Sequence, residues 1–251
     1  MANEGQRTRF HRSTLIKVVA ELALAEEGNV RQSLGERLGQ WLDFKDAIAL
    51  YSVLNGAGTE AANRKAMAER SSTVLHEQYE RVRASLVDAI HAETPRELAI
   101  RLGPAGLSSA NTAEDFLPSH RYYLGHQRNM QSAIGKLRVQ LRTAISEHAP
   151  AFERLASLDA VLEQALIARE RSLLGALPQL LARRFELLRE QERVSGNAGT
   201  FSPHELPAAP PEWMERFCRN MQTLLLAEVD LRLQPVLGLV EACGTDPGKS
   251  Q

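Results

Sequence analysis

The stretch LPSHRYYLGHQRNMQSAIGKLRVQLRTAIS, residues 117–146, carries five cationic side chains and no acid, while Asp115 and Glu147 lie just outside it. Charges on a solvated helix usually alternate in sign, so this departure marks a candidate surface for an anion. Advancing 100° per residue separates two faces. Tyr123, Met130, Ile134, Leu137, Leu141 and Ile145 gather on one side, with Arg121, Arg128, Lys136, Arg138 and Arg142 on a broad opposite arc. Such a helix runs about 45 Å at 1.5 Å per residue. A basic ridge of that length can follow a phosphate backbone and gain affinity by releasing counterions. Tyr122 sits beside the arc, placed either to stack on a base or an arginine or to be half-buried at a helix crossing. The competing account of the arginines is pairing with acids on neighbouring helices, such as Glu163, Glu170 or Glu186, or plain solvation.

Other chemistry is sparse. His120 and His126 are six residues apart and do not share a helix face as i,i+4 metal ligands would. Arg7, Arg9, Arg12 and Lys17 make a second, weaker basic feature at the N-terminus. The chain has no phosphate-binding G-x-x-x-x-G-K-[ST], no dinucleotide-type glycine pattern after a strand, no G-x-S-x-G elbow and no H-E-x-x-H. Cys218 and Cys243 fit no zinc spacing and no disulfide framework, and are expected to be reduced, mostly buried thiols. No cofactor, metal or catalytic residue is assigned, and an enzyme has little support.

The elements that must position these residues are helical. Aromatics make up only 5% of the chain and Leu, Ala, Arg and Glu abound, which favours helices because unbranched side chains lose little rotamer freedom in them. Period-two runs of β-branched residues, the mark of strands, are missing. A net charge of −1 excludes a uniformly basic nucleic-acid binder, though not a local basic face. No apolar run reaches the ~20 residues of a membrane span, and no signal-peptide core is visible. Cytoplasmic residence without membrane insertion is expected.

A basic flexible arm (1–12) precedes an N-terminal bundle of short helices (13–103). In it, RQSLGERLGQWLDFKDAIALYSVLNG (31–56) reads as two helices with a break near Asp43 and an Asn55-Gly56 stop. Leu34, Leu38, Trp41 and Leu42 recur on one helical face, and Gly35 and Gly39 permit close approach of a second helix; these six are candidate packing residues. A helix over 59–93 presents a seam at Leu75, Tyr79, Val82, Leu86 and Ile90, Pro95 breaks it, and a short helix to Leu102 leads into a loop. Residues 104–193 form a long antiparallel hairpin, its helices spanning about 119–148 and 150–193, the second kinked near Pro178. A Pro/Gly-rich linker (194–212), a C-terminal helical segment (213–243) bent or split at Pro235, and a disordered tail (244–251) complete an all-α chain.

Residues 13–56, with their pattern of leucines, Trp-Leu-Asp and Asn-Gly, resemble a proteobacterial domain-of-unknown-function family similar to the ZorF component of type III Zorya anti-phage defence systems. The resemblance implies a cytoplasmic accessory to a MotA/OmpA-like membrane motor, acting with a second soluble protein of the same operon. It carries over no catalytic residues. The leading expectation is a non-enzymatic defence component that assembles through helical faces and engages DNA through the 121–142 ridge. The alternatives are a nuclease-like DNA-directed effector whose site a partner completes, and a homo-oligomeric scaffold built on the 59–93 and 150–193 seams.

Overall fold

The computed structural model describes residues 14–22, 44–55, 65–103, 112–147, 150–195 and 209–244. Among them are eight helices and no strand: α1 (Thr14–Glu21), α2 (Phe44–Asn55), α3 (Lys65–His91), α4 (Pro95–Leu102), α5 (Thr112–Ser146), α6 (Pro150–Gly175), α7 (Leu177–Val194) and α8 (Glu212–Gly244). The fold is all-α. The basic arm, the packing residues Leu34, Gly35, Leu38, Gly39, Trp41 and Leu42, most of the 194–212 linker and nearly all of the tail lie outside the described residues.

The helix that comes last in the chain is central in space. α8 packs against α1, α3, α4, α5, α6 and α7, and only α2 stays apart, resting on α6. The reason is in its sequence. Trp213, Met214, Phe217, Cys218, Met221, Leu224, Leu225, Val229, Leu233, Val236 and Val240 are all buried, spread over a far wider arc than one stripe, and an apolar face that wide needs several neighbours. Each such side chain contributes roughly 1.5–3 kcal/mol on burial. Pro235 does not split the helix, which continues to Gly244; the proline faces solvent.

Two polar residues of α8 are also buried, and both are satisfied. The Gln222 amide donates to the carbonyls of Ile90 (3.0 Å) and Glu93 (2.8 Å), which a terminating α3 leaves without intrahelical partners. Glu228, with no solvent exposure, accepts from Tyr123 Oη at 2.7 Å, Gln127 Nε2 at 3.0 Å and Arg232 Nε at 2.9 Å. Arg232 reaches on to Glu170 at 2.9 Å. One carboxylate thereby ties α5 to α8, and its guanidinium partner ties α8 to α6.

Local signals explain the boundaries. Thr94 and Glu97 form a reciprocal capping box, with Pro95 in the first turn of α4. The expected kink near Pro178 appears as a one-residue interruption at Ala176, whose backbone stays in the right-handed helical region: α6 stops at Gly175 and α7 starts at Leu177, so Pro178 falls in a first turn, where its missing N–H costs little. Helix α5 begins at Thr112, earlier than expected, and runs through Pro118. Pro118 is the seventh residue of α5, past the first turn, so it forfeits the bond that a backbone N–H there would make to the Glu114 carbonyl. An aromatic cluster locks α5, α7 and α8 together. Phe185 meets Trp213 at 5.2 Å and Phe217 at 5.1 Å edge-on, and Phe116 at 5.6 Å, geometries that ring quadrupoles favour.

Glu228→Ala removes the acceptor while Tyr123, Gln127 and Arg232 stay buried, so it should cost about 3–5 kcal/mol. Urea unfolding would show this as a lower midpoint at unchanged slope.

Candidate functional site: the outer face of α5

The two faces expected of α5 form, with the apolar one inward. Tyr123, Met130, Ile134, Leu137, Leu141 and Ile145 are all buried. Glu114 and Asp115 occupy the first turn, where the helix dipole favours acids; Asp115 also pairs with Arg189 of α7 at 2.8 Å.

The basic ridge divides in two. Arg138 and Arg142 turn toward α6, which runs antiparallel to α5. Arg138 forms a two-pronged pair with Asp159 (2.8 and 2.6 Å), and Arg142 bridges Asp159 at 3.2 Å and Glu163 at 2.6 Å. All four side chains are largely enclosed, Glu163 least. Burial alone would lower the proton affinity of Arg138, but its hydrogen bonds and charge interaction with Asp159, aided by Glu163, outweigh this and raise it. The quartet carries two positive and two negative charges, so it offers an outside anion nothing.

Arg121, Arg128 and Lys136 remain exposed. Their spacings of seven and eight residues keep them within about 80° of arc, and Gly125, Ser132 and Thr143 fill the strip among and beyond them without an acid. The surviving feature is a strip of three cations, not a ridge of five.

Tyr122 lies at a helix crossing. Its ring is half-buried under the Arg101 guanidinium of α4, 5.4 Å from the centroid, and meets the His126 ring at 4.5 Å. Arg101 is held by Glu93, with a 2.8 Å bond to one carboxylate oxygen. The stacking cation is thus supplied by the chain itself. Burial, reinforced by the Glu93 charge, pushes the Tyr122 phenol up to about 12. Burial likewise lifts the neighbouring Cys218 thiol to about 12, so Cys218 is an inert core residue. Burial and then Arg101 lower the His126 pKa. His120 contacts Phe116 across 5.9 Å and does not join His126. Among the described residues no group of three or more His, Cys, Asp or Glu side chains is arranged to hold a metal ion, and no helix is long and apolar enough to cross a membrane.

A family model described as a protein of unknown function, DUF3348, matches residues 1–245. The chain belongs to the DUF3348 family. No curated protein and no solved structure matches it. The DUF3348 match extends over all eight helices, so the α5 strip and the helices beneath it fall within one family unit.

In this DUF3348 chain the expectation that Glu163, Glu170 or Glu186 pairs with the ridge holds for Glu163, whereas Glu170 pairs with Arg232. Asp159 escaped it, although Asp159 and Glu163 stand one turn apart on α6, the spacing that matches Arg138 and Arg142 on α5. Arg101 escaped it too, because the contact with Tyr122 links different helices.

Asp159→Ala should destabilise the protein by about 3 kcal/mol by leaving two enclosed guanidiniums short of charge. Glu163→Ala, at a more exposed site, should cost about 1 kcal/mol or less, and chemical denaturation distinguishes the two. For His126, a lowered folded pKa means that the unfolded chain binds the proton more tightly. The stability from this group is complete above the unfolded pKa of about 6.5 and is lost as pH falls through the folded value. His126→Gln should therefore flatten the fall in melting temperature between about pH 7 and pH 5.

Proposed function

We propose that this DUF3348 protein is a non-enzymatic, cytoplasmic component of an anti-phage defence complex resembling type III Zorya. In this reading it assembles with a second soluble protein of its operon and acts as an accessory to a MotA/OmpA-like motor. The similarity to ZorF at residues 13–56 motivates the system. The observation that carries assembly is the outer face of α2.

Ile48, Tyr51 and Leu54 are 54%, 70% and 57% exposed. They recur every three residues, so they form one continuous apolar strip. Single exposed apolar residues need no explanation, but contiguous ones mark an interaction surface. The opposite side of α2 rests on α6, and the Arg154 guanidinium donates to the Leu54 carbonyl at the helix end. α2 is therefore anchored from behind with its apolar strip outward, an arrangement suited to receiving a partner helix.

DNA contact is a secondary element, and magnitudes set its scale. Five phosphate-neutralising cations would give roughly a 500-fold loss of affinity between about 50 and 200 mM salt. The three still exposed on α5 give about 40-fold. This suits a weak auxiliary contact and not an independent DNA-binding protein.

Co-expression with the soluble operon partner tests assembly. Tyr51→Glu should abolish co-purification, while the triple charge reversal at Arg121, Arg128 and Lys136 should preserve it and remove any salt-sensitive duplex binding. Undiminished co-purification of Tyr51→Glu would rule out α2 as the contact.

A further inference from the structure

We infer that the crossing of α7 and α8 holds a binding site for a dianionic phosphoryl group, with Arg184, Arg216 and Asn220 as its donors. The two helices run antiparallel, and the Phe185 ring fixes their register by meeting both Trp213 and Phe217. Arg184 immediately precedes Phe185 and Arg216 immediately precedes Phe217, so the two arginines stand at one level of the crossing. Asn220 lies one turn further along the Arg216 side of α8.

Two of these side chains hold buried donors without an acceptor, and the third, Arg216, is exposed beside them. Arg184 Nε and Asn220 Nδ2 are sealed from solvent and make no hydrogen bond. Glu215 pairs with Arg219 at 3.2 Å and Glu190 with Arg193 at 2.8 Å, while Glu186 and Glu212 are exposed and, among the described residues, form no ion pair with either arginine. Among the described residues the other enclosed arginines have a carboxylate: Arg138 and Arg142 have Asp159, Arg189 has Asp115, and Arg232 has Glu228. Arg184 instead faces a like charge, and burial together with Arg216 lowers its proton affinity. Sealed donors and juxtaposed cations are costly unless an acceptor arrives.

Charge and donor number identify the acceptor. Two guanidiniums carry two positive charges, which a phosphoryl group at roughly −1.5 to −2 balances and a single carboxylate does not. The guanidinium forks and an amide supply more N–H groups than the about four lone-pair sites of a carboxylate accommodate, whereas a terminal phosphate accepts guanidinium forks well. A nucleic-acid diester carries one charge per phosphate and fits less well. The group is either free phosphate or the terminal phosphate of a nucleotide.

The test uses the purified full-length protein without any partner, so its outcome is independent of the α2 interface. Titration with inorganic phosphate, at ionic strength held constant with chloride, should show saturable heat and a rise in melting temperature. Adenosine monophosphate, as a parallel arm, tells free from esterified phosphate. Arg216→Gln, an exposed substitution that leaves the core intact, should weaken binding at least tenfold. Arg184→Met should abolish the response and raise the melting temperature in phosphate-free buffer, because it removes the like-charge contact; an arginine with a purely structural role would lower it. A response equal to that of chloride, one unaltered in Arg216→Gln, or one seen only with duplex DNA would overturn the assignment.

Discussion

The carboxylate of Glu228 sits without solvent contact midway along α8, the most enclosed of the described helices, and its hydrogen bonds, with those of its partners, settle where two other helices lie. A charge in that position is tolerable only if every lone pair is used. Tyr123 and Gln127 of α5 approach from one side, and Arg232 closes the other while reaching Glu170 of α6. Gln127 also donates to the Leu174 carbonyl near the end of α6. Apolar packing is indifferent to small slides of one helix along another. A buried carboxylate with four directed contacts is not, so it fixes the register of α5 and α6 on α8.

That register decides which charges remain for function. With α5 and α6 antiparallel and locked, Asp159 and Glu163 fall opposite Arg138 and Arg142, and the C-terminal part of the basic helix is neutralised internally. Arg121, Arg128 and Lys136 project away from α6 and escape. At the crossing of α7 and α8 the Phe185 cluster sets the register instead, and there Arg184 meets the charge of Arg216 while its Nε makes no hydrogen bond. The same physics produces a closed quartet in one place and an open pair of cations in another.

Several features were legible because they are periodic or local. The seam of Leu75, Tyr79, Leu86 and Ile90, the buried face of α5, the break at Pro95 and the end of α2 at Asn55 each follow from spacing or from one residue's backbone preference. The segment 213–243 stands at the end of the expected helix order, after a linker, a place in the chain that does not mark it as the hub. A signal was available: its apolar residues cover well over half of the helix circumference instead of one stripe, and a face that wide needs several neighbours.

The sequence by itself determined that the chain is helical, where most helices begin and end, and that residues 117–146 carry cations without acids, since these depend on residue type and spacing within one turn or two. Tertiary structure alone decided which cations stay free, which acids they meet and which helix becomes the centre. Those outcomes rest on contacts between residues such as Arg138 and Asp159, or Tyr123 and Glu228, far apart in the chain. Their meeting follows from helix register, and register is set by the whole packed core, where no single segment holds the information.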